Sequence, residues 1–134
     1  MKSLKVKEYM SRKLHTLTPS TNVVEAMDVF LNHKISGAPV VDENGVMVGI
    51  LSEVDLMQVV VQDSYYNESM GIVADYMHTE VDTVSPEVDI YTVAEMFIKN
   101  HRRRYPVVAD GKLVGQISRR DVLRAAQSFL HREA

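Results

Sequence analysis

"GQISRRDVL", Gly115 to Leu123, and "GILSEVDL", Gly49 to Leu56, are two versions of one phrase. Each runs from a glycine through apolar residues to a serine, with an aspartate three residues further on: Ser118 and Asp121, Ser52 and Asp55. The S-x-x-[DE] spacing marks a helix start, where the serine and the carboxylate cap backbone N–H groups that have no partner inside the helix. An apolar run ending in such a cap reads as a strand passing directly into a helix. Outward from this pair the correspondence continues. "VKEYMSRKLHTLTP" (Val6 to Pro19) lies over "VADYMHTEVDTVSP" (Val73 to Pro86) at an offset of 67, Phe30 falls on Phe97, and "APVV" (Ala38 to Val41) falls on "YPVV" (Tyr105 to Val108). Two copies of about 60 residues, unlike the many short copies of a solenoid, predict two similar halves related by a pseudo-twofold axis.

Within the first copy, Asn22 followed by Glu25 is a capping box, and Val23, Met27, Phe30 and Leu31 recur at helical spacing. These predict an amphipathic helix over about 22–33. "APVV", "DENG" and "VMVGIL" read as a hairpin whose positive φ angles come from Asn44 and Gly45. A helix from Ser52 follows. In the second copy the same signals predict a helix from Asp89 to Asn100, strands at Tyr105–Val108 and Lys112–Ile117, and a helix from Ser118. Each half is therefore β-α-β-β-α, an α/β (α+β) arrangement, preceded by a short lead-in helix at "VKEYM" or "VADYM". The expected organisation is a first motif at 1–62, a polar linker at 63–70 ("DSYYNESM") and a second motif at 71–134.

Composition excludes several classes. The 134 residues carry a formal charge of -3, and neither half is biased: 6 basic and 8 acidic side chains in 1–67, 9 and 10 in 68–134. That argues against a nucleic-acid or membrane-surface domain. Without cysteine there are no disulfides, thiolate nucleophiles or zinc ribbons. The start lacks an apolar h-region, and no apolar run approaches the roughly 18 residues of a membrane span. A cytoplasmic protein is expected. There is no P-loop, no G-x-G-x-x-G opening a helix and no H-x-x-x-H, and the histidines at 15, 33, 78, 101 and 131 lack metal-ligand spacing. No catalytic residue and no metal site is expected, and the chain does not read as an enzyme.

The linked features, Thr-x-[ST]-Pro, then x-Pro-Val-Val, then Gly to Ser-x-x-Asp, twice in the same order over about residues 6–126, resemble the cystathionine beta-synthase (CBS) domain pair, or Bateman module. The resemblance implies two sheets packed face to face across the pseudo-twofold, leaving two clefts that bind adenosine-containing ligands. It also implies pairing of two chains into a disc of four motifs. A homodimer is expected on that ground, with helix faces such as Leu56, Val59, Val60 and Leu123 needing cover.

The residues themselves suit a nucleotide. A carboxylate in the first turn of a helix is held ionised by the dipole and presents acceptors that match two vicinal ribose hydroxyls. Capping and ribose binding are compatible, so Ser118 with Asp121 and Ser52 with Asp55 serve either reading. Thr83 and Thr16 precede the Ser-Pro and Thr-Pro turns, where the resemblance places main-chain contacts to adenine. Arg104-Tyr105-Pro106 and Gly37-Ala38-Pro39 stand at the mouth of the next strand, with Tyr105 able either to stack on a base or to enter the core. In some family members an arginine three residues before this proline binds phosphate. Arg103 stands at that position, and its counterpart is Ser36. Arg120 is the next phosphate candidate, with Arg119 and Arg124 on a solvated face.

Glu53 and Val54 replace Arg119 and Arg120 in the first copy, so a phosphorylated ligand should prefer the Asp121 cleft. His33 and Lys34 are the cations near the Asp55 cleft, where they also suit a helix C-terminus. The expected activity is regulatory sensing of AMP, ADP or ATP, AMP foremost, with no cofactor required and an unidentified effector protein as the output. The alternatives are a ligand-free dimerisation module and a sensor of another adenosyl ligand such as S-adenosylmethionine or NAD.

Overall fold

A computed structural model describes residues 4–66 and 71–133. Its elements are α1 (Val6–Tyr9), α2 (Val23–His33), β1 (Gly37–Val41), β2 (Met47–Ser52), α3 (Glu53–Tyr66), a single 3-10 turn (Val73–Asp75), α4 (Ile90–Asn100), β3 (Arg104–Ala109), β4 (Lys112–Ser118) and α5 (Arg119–Glu133). β1 pairs antiparallel with β2, and β3 with β4, giving two separate two-stranded sheets. The first strand expected in each half is reduced to one parallel bridge, Leu17 to Val40 and Val84 to Val107.

The chain forms two compact units whose boundaries are not those of the repeats. One contains Met1–Leu14 with Asp82–Ala134, the other His15–Val81. In the first unit α1 is tied to the second repeat: Val6 N–H donates to Val88 O at 2.8 Å, and Ser11 and Gln116 exchange both main-chain hydrogen bonds at 2.8 and 2.9 Å. Lys5 and Lys7 both reach Glu87, at 2.7 and 3.0 Å, and their hydrogen bonds hold its carboxyl below the usual carboxylate range. The turn at Val73 is held the same way in the other unit, where Val73 N–H donates to Thr21 O and His78 exchanges both bonds with Ile50.

The repeated glycines of the opening phrase are explained by these crossings. A Cβ on Gly115 would sit 2.5 Å from Met10 Sδ and 3.0 Å from Ser11 O. On Gly49 it would sit 2.7 Å from Met77 Sδ and 2.8 Å from His78 O.

Each unit has its own core, and the two match position by position. Leu17, Val23, Ala26, Phe30, Ala38, Val40, Leu51, Val59 and Val73 are buried in one. Val84, Ile90, Val93, Phe97, Tyr105, Val107, Ile117, Ala125 and Val6 fill the corresponding places in the other. Val23, Ala26 and Phe30 recur at the spacing of one helix face, and Ala38 with Val40 at the period of two expected of a strand. Both helix starts are capped by a side chain: Asn22 Oδ1 accepts from Val24 N–H at 2.7 Å, without the return bond from Glu25 that a capping box would add, and Asp89 Oδ1 accepts from Thr92 N–H at 2.9 Å. Both helices end on a left-handed residue, Lys34 (φ 54°) and His101 (φ 53°), whose N–H groups donate to Phe30 O and Phe97 O.

Several local expectations differ from the structure. The lead-in helix expected at "VADYM" is a single 3-10 turn, Val73–Asp75. In the first hairpin only Gly45 takes a positive φ, 82°. Asp42 Oδ1 accepts from both Asn44 and Val46 N–H, so the side chain closes the turn and Asn44 need not enter the left-handed region. The two-residue turn with positive φ at both positions is instead Asp110-Gly111, at 52° and 80°. Residues 63–66, assigned to the linker, continue α3, because neither glycine nor proline interrupts the chain before Gly71; residues 67–70 lie outside the described residues. Finally, Leu56 and Val59 are buried in their own unit rather than awaiting cover, while Val60 and Leu123 are exposed.

Candidate functional site

In the Asp121 unit, the register pairs Arg104 with Ser118 and Tyr105 with Ile117, which sets the mouth of β3 beside the start of α5. Asp121 is 6% exposed. Its Oδ2 accepts from Ser118 N–H at 2.8 Å, and its own N–H donates to Ser118 Oγ at 3.2 Å, a closed reciprocal cap. The other oxygen, Oδ1, accepts from Arg124 one turn further along α5.

Among the described residues Arg124 is the arginine that bonds this carboxylate; the others lie on the adjoining segments. Arg119 Nε donates to Arg102 O at 2.6 Å, Arg119 N–H donates to Arg103 O, and Arg102 pairs with Asp82 at 2.7 Å. Arg103 and Arg120 are exposed, and neither forms an ion pair among the described residues. Thr83 is exposed just before Val84, whose N–H donates to Pro106 O, so the threonine and the buried Pro106 lie on adjoining segments.

Tyr105 does not present its ring to a ligand. It is fully buried, its ring 4.8 Å from that of Phe97, with its hydroxyl donating to Met96 O and accepting from Asn100 Nδ2. Of the two roles open to it in the sequence, the structure selects the core. Period-two alternation points Tyr105 and Val107 to the same face, and that face is the interior.

The Asp55 unit repeats the frame with different occupants. Gly37 pairs with Ser52 and Ala38 with Leu51, and Ala38 and Pro39 are buried. Asp55 is 3% exposed. Its Oδ2 accepts from Ser52 N–H at 2.8 Å and Ser52 Oγ at 2.9 Å, and its Oδ1 accepts from His78 Nε2 at 2.8 Å. Thr16 is exposed before the bridging Leu17. His33 is stacked on His15, ring centroids 3.8 Å apart, and Lys34 is the left-handed cap of α2. Glu53 is exposed and lies along the groove between α2 and α3 with Met27, Leu31 and Met57.

Sequence reasoning missed His78, His15 and the Arg124–Asp121 contact. Only the last had a signal, since residues three apart on a helix are neighbours. His78 lies 23 residues from Asp55, and nothing local connects them.

Two units, each with an antiparallel hairpin feeding a helix capped by its own serine and buried aspartate, define a tandem repeat of the CBS type. The chain belongs to the CBS domain family: a family model of the CBS domain matches residues 6–62 and again 73–128. It is similar to the chloroplastic CBS domain-containing protein CBSX1 of Arabidopsis thaliana, 31% identical over 149 aligned positions that cover 90% of this chain and 63% of that protein. It therefore spans somewhat less than two thirds of that relative, and only 41% of an uncharacterised Methanocaldococcus jannaschii relative, MJ1225. Among solved structures it resembles CBSX2, an Arabidopsis thaliana protein, in complex with AMP, at a TM-score of 0.82 and 31% identity, covering 96% of this chain and 99% of that one. The CBS domain pair of MJ0100, solved with 5′-methylthioadenosine and S-adenosyl-L-methionine, is 25% identical at a TM-score of 0.76, covering 96% and 99%. Among the described residues, no helix is long and apolar enough to cross a membrane, and no group of three or more histidine and carboxylate side chains is placed to hold a metal.

Proposed function

We propose that the chain is a non-enzymatic regulatory sensor of an adenine nucleotide, AMP foremost, and that Asp121 marks its principal site. The observation that carries this reading is a buried, capped carboxylate bonded by Arg124, with Arg120 next to it in sequence and Arg103 held to the start of α5 through Arg119 N–H, both exposed and without an ion pair among the described residues. Asp121 receives the ribose hydroxyls, and the guanidinium forks of Arg103 and Arg120 receive phosphate. Thr83, Arg104, Pro106 and Ser118 line the approach, mainly through the main chain; the Tyr105 side chain is left out. The Asp55 unit, with Thr16, Gly37, Ala38, Pro39 and Ser52, is the weaker site, since Glu53 replaces an arginine and His33 and Lys34 stand in for the arginines as candidate phosphate cations. The AMP complex of CBSX2 and the S-adenosylmethionine complex of MJ0100 support an adenosyl ligand.

Output passes to a separate protein through the ligand's different affinities for two states of the chain. Two chains pair through apolar helix faces: Leu31, Val54, Met57 and Val60 are exposed on α2 and α3, Ile98 and Leu123 on α4 and α5. Those same faces support the second reading, a ligand-free dimerisation module.

Calorimetric titration of the purified protein with AMP, ADP, ATP, S-adenosylmethionine and NAD separates the two. AMP should bind, and Arg103→Ala should weaken it about tenfold or more, the worth of one charge-assisted hydrogen bond. The absence of heat with every ligand, together with a dimer in sedimentation, selects the dimerisation module. A monomer at micromolar concentration refutes pairing.

A further inference from the structure

The two carboxylates differ in what holds their second oxygen. At Asp121 it is Arg124, an exposed side chain on the same helix. At Asp55 it is His78, from a distant segment, because Gln58 stands where the other repeat has Arg124. The corresponding lead-in position of the other repeat is Ser11, whose Oγ is engaged locally with Lys13. The two side chains are equally exposed, 66% for His78 and 63% for Arg124, and differ in reach and anchorage. A long arginine has several torsions by which to swing away, a histidine only two. His78 springs from main chain pinned on both sides: its N–H and C=O each bond Ile50 at 2.9 Å, and Gly49 lies so close that an added Cβ would be 2.8 Å from His78 O.

We propose that His78 is a built-in competitor for the Asp55 carboxylate and determines how weakly the first repeat takes a nucleoside. The inference rests on the reading of these carboxylates as ribose acceptors. A ribose hydroxyl arriving at Asp55 finds Oδ2 already holding Ser52 N–H and Oγ, and Oδ1 holding His78. Three of the carboxylate's about four acceptor sites are then taken, against two at Asp121, so of a pair of ribose hydroxyls the second must displace the imidazole and exchanges one hydrogen bond for another instead of adding one. In the other unit displacement releases a guanidinium that remains available to phosphate. A hydrogen bond to a charged group corresponds to about a tenfold to hundredfold change in affinity, and that is the handicap assigned to the Asp55 site.

The experiment is a calorimetric titration of the full chain with AMP in three forms: wild type, His78→Ser, which copies Ser11, and Ser11→His, which places an imidazole opposite Asp121. His78→Ser should reveal a second binding event or tighten the weaker one about tenfold to hundredfold. Ser11→His should weaken the tighter event by a similar factor. In the wild type, the His78 imidazole nitrogen resonances should shift only as the weaker event fills. If AMP binds the wild type and both substitutions leave the isotherm within twofold, the competitor is refuted while the nucleotide reading stands. If none of the three proteins binds AMP, both are refuted.

Discussion

Replacing Asp121 by asparagine separates its two tasks. As a cap, the side chain contributes one acceptor to Ser118 N–H at 2.8 Å, and an asparagine amide oxygen supplies the same acceptor in the same place. What is lost from the folded protein is the charge: its attraction to the helix N-terminus, about 0.3–1 kcal/mol, and its i,i+3 pairing with Arg124, whose side chain is exposed, about 0.3–0.5 kcal/mol. Asp121→Asn should therefore cost about 1 kcal/mol, a fall in Tm of roughly 3–6 °C for a chain of this size. As a ribose acceptor the side chain loses far more, because the amide nitrogen is a donor facing a donor and the remaining oxygen is neutral. The loss of charge-assisted bonds should raise the Kd for AMP by about tenfold to hundredfold. Asp121→Ala adds the loss of the cap, about 0.5–2 kcal/mol of stability, with an affinity loss no smaller than that of asparagine. Urea melts and calorimetry on the same samples give both numbers. An Asp121→Asn protein that loses stability and keeps its AMP affinity within twofold would show that the carboxylate is a cap and nothing more.

Gly115→Ala should cost about 2–4 kcal/mol, since a Cβ 3.0 Å from Ser11 O strains the strand crossing and its two hydrogen bonds, whereas Gly37→Ala, whose nearest atom would be Leu51 O at 3.5 Å, should lie within about 0.5 kcal/mol of wild type. Equal urea midpoints for the two would remove steric crossing as the reason for the repeated glycine. Lys34→Gly should stabilise the chain by about 0.5–1 kcal/mol, because glycine occupies the left-handed cap at φ 54° without Cβ strain; a lower midpoint would mean that the lysine side chain holds something the cap geometry does not show.

The duplication made most of the fold legible. A period of two in "APVV" and "YPVV", helical spacing after Asn22 and Asp89, and S-x-x-D at two strand ends each follow from forces acting within a few residues, and each element stands where those forces place it. What sequence did not reveal was non-local. Nothing in "VKEYM" tells that Val6 joins the core formed by Val84 and Tyr105, because the segment is equally apolar wherever it goes. Asn44 followed by glycine is a strong turn signal, but Asp42 was two residues away and its side chain decided the geometry. The arginines around Asp121 were visible as a cluster. Which of them were occupied was not, since Arg102 spends its charge on Asp82 and Arg124 on Asp121 itself.

The two units serve as each other's control. Their cores correspond residue for residue, from Leu17 with Val84 to Val59 with Ala125, and both carry a buried aspartate receiving a serine N–H at 2.8 Å. Whatever these shared features do, they do in both, and they do not by themselves separate a scaffold from a sensor. The cores themselves differ in size, as at Ala38 against Tyr105, but a separate set of differences lies on the segments next to the aspartates: Arg103 against Ser36, Arg119 and Arg120 against Glu53 and Val54, Arg124 against Gln58, Ser11 against His78. None of these positions contributes to either core. Packing therefore places no demand on them, and a function that needs cations beside one carboxylate and an acidic or occupied surrounding at the other would choose them as they stand. The sensor reading predicts that asymmetry and a ligand-free scaffold does not require it, so the AMP titrations of the Asp121 and His78 variants decide between the two.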